Sequence, residues 1–144
     1  MPLIRLYITP SVLSTTEKEE LAQKLTAIYV SRVKLPAFYV NVLFVELPEN
    51  SYYIGGQARN NFIRIAIEHI ALRFPNPERE QSYMKALDDV IVPLFTSKGL
   101  DWEYHISETP RELWKIQSLV PPPHLSEAHE NWFKENKPTP WGNM

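Results

Sequence analysis

Twice along this chain the hydrophobic pattern passes from strand-like runs to the helical repeat of about 3.6 residues and back again. Leu3, Ile4, Leu6, Tyr7 and Ile8 form an apolar run broken by Arg5 and stopped at Pro10, which predicts a mostly buried strand starting at Pro2. Ser14 with Glu17 three residues on makes a capping box. Leu21, Leu25, Ile28 and Arg32 then recur at helical spacing beside Ala22 and Tyr29. That helix should end near Lys34-Leu35-Pro36. Phe38 through Leu47 is rich in Val, Phe and Tyr and stops at Pro48, which predicts a long second strand.

The unit then recurs. Beyond the turn-rich Pro48-Glu49-Asn50 and Gly55-Gly56, Phe62–Ile67 predicts a strand with one charge, Arg64, inside it. Asn76-Pro77 supplies a cap followed by a proline at the first helical position. Tyr83, Met84, Leu87, Val90, Ile91, Leu94 and Phe95 line the apolar side, Pro93 should kink the last turns, and Gly99 closes the helix. Leu100–Ile106 completes the pattern, with Trp102, Tyr104 and Ile106 on one face and Glu103 and His105 on the other. A helix crossing between two strands usually makes them parallel neighbours. The expected fold is therefore α/β, of the α+β two-layer sandwich kind: tandem βαβ units forming one sheet with both helices on one face. The opposite face, expected to carry Tyr7, Tyr39, Val45 and Ile65, is too apolar to stay in water, so self-association is expected.

Residues 1–144 are expected to form one domain, with 110–144 as a C-terminal arm that packs on the domain or on a neighbouring subunit. The arm holds Pro121-Pro122-Pro123 and a short helical stretch from Ser126-Glu127 to Trp132-Phe133. A hydrophobic fraction of 44% with 22% charged residues is globular, and a net charge of −2 argues against a surface for nucleic acid. There is no cysteine, which excludes disulfides and thiolate chemistry. The four histidines are not spaced as a metal pair, so no metal and no cofactor are expected. With no apolar run near the roughly 18 residues that span a bilayer, the sequence reads as a soluble, cytoplasmic protein without a membrane partner.

Pro2 carries the chemistry. A small residue at this position normally lets Met1 be removed, which leaves a secondary amine at the N-terminus. Held beside cationic side chains, that amine falls below the ordinary α-amino pKa of about 7.7–8.0 and becomes a general base near neutral pH.

An N-terminal proline that begins a strand, two βαβ units, Val42-Leu43-Phe44-Val45-Glu46-Leu47-Pro48, the Tyr53-Ile54-Gly55-Gly56 turn, and Trp102-Glu103-Tyr104 with Glu108-Thr109-Pro110 together resemble the tautomerase superfamily. The likeness, over about residues 2–125, is to its cis-chloroacrylic acid dehalogenase-like branch and particularly to the fungal members. The resemblance implies a homotrimer whose sheets form an inner barrel, with each active site built around one N-terminal proline near a subunit boundary. It also implies catalytic roles for Pro2 and for Tyr104. The dehalogenase's helix-borne histidine is replaced by Tyr29, which can donate a hydrogen bond but, with a pKa near 10, cannot take over the same proton duty. One substrate-binding arginine is retained as Arg73; the other falls near His69 or Ile70, and the water-activating glutamate falls on Lys115 or Ile116.

Hydration or dehalogenation needs a carboxylate to activate water, whereas keto–enol tautomerisation needs only a base and a stabiliser of the enolate. The sequence therefore favours a low-specificity tautomerase of small 2-oxo acids or related carbonyl compounds. Pro2 is the expected base, Arg73, Arg64 or Arg59 the expected clamp, His69 a further expected substrate-binding residue, and Tyr104 and Tyr29 the expected donors to the enolate. Two alternatives stand beside it: a trimeric binding or scaffold protein that has lost most of the chemistry, and a hydratase, dehalogenase or decarboxylase of unsaturated or 3-oxo acids.

Overall fold

In the computed structural model, which describes residues 2–142, β1 (Leu3–Ile8) is an inner strand of a four-stranded sheet ordered β2-β1-β5-β6. Met1, with its expected removal, and the last two residues of the expected arm lie outside the described residues. The first unit is β1, α1 (Thr15–Val33) and β2 (Asn41–Glu46), with β1 and β2 parallel. The capping box closes as expected: Glu17 N donates to Ser14 Oγ at 3.2 Å and Ser14 N to Glu17 Oε2 at 2.7 Å. A hairpin of β3 (Tyr53–Ile54) and β4 (Gln57–Ala58) follows, turning through Gly55 and Gly56, both at positive φ.

The second unit is β5 (Phe62–His69), α2 (Pro77–Ser97) and β6 (Asp101–Glu108), again with parallel strands. Asn76 caps α2, its side chain accepting from Arg79 N at 3.0 Å, and the helix continues through Pro93 to Ser97. β5 and β6 both run two residues past the stretches expected from sequence. Glu68 ended the apolar run, yet it only turns a charge to the free face while the ladder continues through Glu68↔Ser107 and His69↔Glu108. The two units join where β1 pairs antiparallel with β5, Leu3 opposite Glu68 and Leu6 opposite Ile65.

Between the sheet and the helices, Ile4, Leu6, Ile63, Ile65 and Ile67 meet Leu21, Leu25, Leu87, Ile91 and Phe95 in one buried core. Two sequence expectations for the other sheet face are thereby corrected. Ile65 points into the core, because the antiparallel register sets it beside Leu6. Tyr39 is not on a strand at all: Ala37–Tyr39 form a 3-10 turn after Pro36, shortening β2, and the Tyr39 ring packs edge-on to Trp114 at 4.9 Å and Trp132 at 6.2 Å. Tyr7 and Val45 remain half-buried on the free face. That face is more polar than expected, with Arg5 paired to Glu68 and Arg64 paired to Glu103.

The chain after β6 folds back on its own body. α3 (Glu127–Glu135) buries Trp132 against Phe38 and Tyr39, and Arg111 Nη2 binds the carbonyls of Pro121 and Pro122, the latter at 2.6 Å. No helix of the described residues is long and apolar enough to cross a membrane.

Replacing Ile65 by Ala should cost about 2–5 kcal/mol in urea unfolding, as deletion of a buried aliphatic does. Ser14→Ala should cost about 0.5–2 kcal/mol, as loss of a helix cap does. An Ile65 variant as stable as the parent would contradict the register.

Candidate active site

The start of β1 and the end of β5 lie side by side at the same end of the sheet. Continued by one residue, the β1–β5 register sets buried Pro2 across from His69, and Pro2 O accepts from Asn41 N at 2.9 Å. His69 stands on the helix-facing side with Ile63, Ile65 and Ile67, in alternation along the strand. Its carbonyl accepts from Thr109 N at 3.0 Å, which fixes the end of β6 beside it.

Over His69 opens a cavity of about 350 Å³ between the two helices. α1 contributes Ile28, Tyr29, Arg32 and Val33; the segment after β5 contributes Leu72, Arg73, Phe74 and Pro75; α2 contributes Arg79, Ser82 and Tyr83; the arm contributes His124. Three guanidinium groups and two imidazoles thus border an apolar wall, and among the described residues no carboxylate lines it. Arg32 Nη1 donates to Ser82 Oγ at 3.1 Å, and His124 Nε2 donates to Val33 O at 2.7 Å, satisfying a carbonyl at the end of α1. Glu108, whose charge acts on His69, is engaged: its Oε1 accepts from Phe74 N at 2.6 Å and so holds the Arg73–Pro75 segment over the sheet end.

The electrostatics follow from burial. His69 is 6% exposed and its ring pKa is pushed down to about 4, chiefly by burial, against the opposing pull of Glu108. Tyr29 and Tyr83 share a hydrogen bond of 2.5 Å between their hydroxyls; burial drives Tyr29 well above its ordinary value and Tyr83 up to about 12. At neutral pH all three side chains are uncharged.

Pro2, Tyr29, His69 and Arg73 are therefore brought to one end of the fold. Ile70 is buried in the core, so of the two positions left open by the sequence it is His69 that lines the cavity. Tyr104 is not among the lining residues; its hydroxyl donates to Asp88 Oδ1 at 2.9 Å, and burial raises its pKa to about 12. Arg64 lies on the opposite sheet face with Glu103 and His105, and Arg59 follows the hairpin, its backbone N–H bonded to Tyr52 O at 2.8 Å. Sequence reasoning passed over Arg32, Arg79, Tyr83 and His124. Arg32 lies three residues after Tyr29 and Arg79 four before Tyr83, so helical spacing could have put each beside a cavity tyrosine. Nothing local marks His124, which depends on the path of the arm. Among the described residues there is no cluster of three or more His, Cys, Asp or Glu side chains that could hold a metal ion.

The family model described as "Putative oxalocrotonate tautomerase enzyme" matches residues 1–137. The crystal structure of RhCC from Rhodococcus jostii RHA1 is 40% identical, with 96% of this chain and 99% of that one covered and a TM-score of 0.94. A structure described as a probable enzyme from the thermophilic fungus Aspergillus fumigatus is 41% identical over 98% of each chain, with a TM-score of 0.93. N1, a member of the cis-3-chloroacrylic acid dehalogenase family, is 14% identical with 92% and 90% covered and a TM-score of 0.73, a likeness of fold alone. No curated protein matches the sequence.

Because the folded pKa of His69 lies below its ordinary value of 6.5, the unfolded chain takes up the proton first as pH falls. The stability that the neutral ring contributes is complete above about pH 6.5 and is lost between there and about pH 4. Urea unfolding should show this decline, and His69→Gln should flatten it. An NMR titration midpoint for His69 near 6.5 would contradict its burial.

Proposed function

The chain belongs to the tautomerase superfamily, and on that premise we propose that it interconverts the keto and enol forms of small 2-oxo acids, with the mature N-terminal amine of Pro2 as the base. The observation that carries the reading is the β1–β5 register, which sets Pro2 across from His69 at the edge of a cavity rich in guanidinium groups. Cations nearby favour the unprotonated amine, and an unprotonated secondary amine can accept a proton. In the ketonising direction Pro2 takes the proton from the enol oxygen and returns it to the adjacent carbon, so the amine is regenerated each cycle. Arg73 is the proposed clamp for the substrate carboxylate, since paired N–H groups of a guanidinium match a carboxylate's two oxygens. Ile28, Val33, Leu72 and Phe74 offer an apolar wall, which suits an aromatic or unsaturated substituent on the acid.

Hydration and dehalogenation fit less well, because a water-activating carboxylate is missing from the lining and Glu108 is bonded to the Phe74 backbone. Decarboxylation of a 3-oxo acid is the covalent alternative open to the same amine, and it would announce itself by release of carbon dioxide. Tyr104 and Arg64, held away from the cavity of their own chain, join a site only if an adjoining subunit carries them there.

Such a subunit is part of the proposal. The free sheet face combines the charged Arg5–Glu68 and Arg64–Glu103 pairs with half-buried Tyr7 and Val45 and with Leu43, which is 48% exposed. Packing those faces together removes the apolar part from water and gives the barrel of three that the family resemblance implies. Sedimentation should return a mass three times the 16.8 kDa chain, and a single-chain mass would refute the trimer.

The catalytic claim is tested with phenylenolpyruvate, an aromatic enol. Protein whose free Pro2 is confirmed by mass should ketonise it well above the buffer rate, and a variant that retains Met1 should lose that rate. Equal, near-background rates would favour a binding or scaffold protein instead.

A further inference from the structure

Three polar side chains of the cavity wall are buried and touch one another: Tyr29 on α1, Tyr83 on α2 and His69 at the end of β5, at 1%, 7% and 6% exposure. Tyr29 Oη lies 2.5 Å from Tyr83 Oη and 3.4 Å from His69 Nδ1, the second contact longer than the usual bond of about 2.7–3.2 Å. Phe74 fixes the plane of the imidazole by stacking on it at 4.4 Å and 12°. The protons can be assigned by counting donors. Among the described residues Tyr83 Oη has one hydrogen-bonding partner, Tyr29 Oη. If Tyr83 donates to Tyr29, Tyr29 sends its own proton to His69 Nδ1 and every proton is used. If the chain runs the other way, the Tyr83 proton is left without a protein acceptor at a buried position. The first direction makes Nδ1 an acceptor, so the neutral ring carries its hydrogen on Nε2. With Nδ1 turned to Tyr29 and the ring lining the cavity, Nε2 is left without a protein partner among the described residues.

Resting on the tautomerase reading, we propose that His69 is a catalytic residue that presents Nε2–H as a neutral donor to the substrate's 2-oxo oxygen. Tyr29 and Tyr83 are positioning residues that lock His69 in that tautomer. As Pro2 moves the proton, negative charge develops on that oxygen, and a donor already aimed at it lowers the barrier without reorganising. The proton on Nε2 stays there throughout; only Pro2 exchanges one with the substrate. Burial supports this division of labour, since a ring with its pKa near 4 is not an imidazolium at neutral pH. Tyr29, whose hydroxyl points inward to its two partners, acts through His69 and not on the substrate.

The test reads the tautomer on the protein itself, by two-bond nitrogen–proton NMR of histidine-labelled, Pro2-terminated protein at neutral pH. His69 should show an unprotonated Nδ1 and a protonated Nε2 in the parent and a mixture of tautomers in Tyr29→Phe. Benzoylformate, a 2-oxo acid with no enolisable hydrogen, should shift the Nε2 signal. In the enol assay His69→Leu should lower kcat by about 10²–10³-fold, the usual loss for an oxyanion donor. Tyr29→Phe should lower it by about tenfold with little change in KM. A parent with hydrogen on Nδ1, a tautomer unmoved in Tyr29→Phe, or an Nε2 signal unmoved by benzoylformate would overturn the proposal. Because these signals need no turnover, a failed enol assay would strike the Pro2 reading separately.

Discussion

The antiparallel pairing of β1 with β5 is the joint on which the rest depends. This pairing fuses the two βαβ units into one sheet, over which α1 and α2 share one core. It also runs the chain's first strand against the end of β5, which holds Pro2 as a buried group across from His69. Slipping the register by one residue would turn Ile4 and Leu6 to the charged face and take Pro2 out of its place across from His69 at the same stroke. Fold stability and the geometry of the candidate site therefore share one interaction.

The cavity above that joint is built with opposite electrostatic treatments of its two walls. Around the mouth, Arg32, Arg73 and Arg79 keep their charge at the protein surface, where an anionic acid can reach them. Deeper in, His69, Tyr29 and Tyr83 are held neutral by burial, which shifts the imidazole down and both phenols up. Neutral side chains can be desolvated at modest cost when they bond to one another, whereas unpaired charges there would not be tolerated. The arm completes this enclosure through His124, anchored behind by the packing of Trp132 on Tyr39.

Local signals made most of the fold legible in the sequence. The Ser14–Glu17 capping box, the Asn76-Pro77 start and the alternation in β1 and β5 each report a contact within a few residues. What was misjudged depends on distant partners. Tyr39 looks like a strand residue until Trp114 and Trp132 arrive from the arm to enclose it, and Ile65 is assigned to a face only by its register with Leu6. The same division holds at the site. Pro2 and Arg73 are candidates suggested by their places in the chain, whereas the Tyr83–Tyr29–His69 contact joins two helices and a strand, and no single stretch of sequence encodes it. Tyr104 shows the converse, a residue in the expected strand whose hydroxyl is engaged by Asp88.

The central claim is that the amine of Pro2 is a base tuned by the cations around it, and its own titration tests that most directly. With ¹⁵N-proline incorporated and Met1 shown by mass to be absent, the Pro2 nitrogen should titrate with a midpoint clearly below the ordinary α-amino range of about 7.7–8.0. A midpoint within or above that range would show that the cavity does not tune the amine, and the account of Pro2 as a base active at neutral pH would fall.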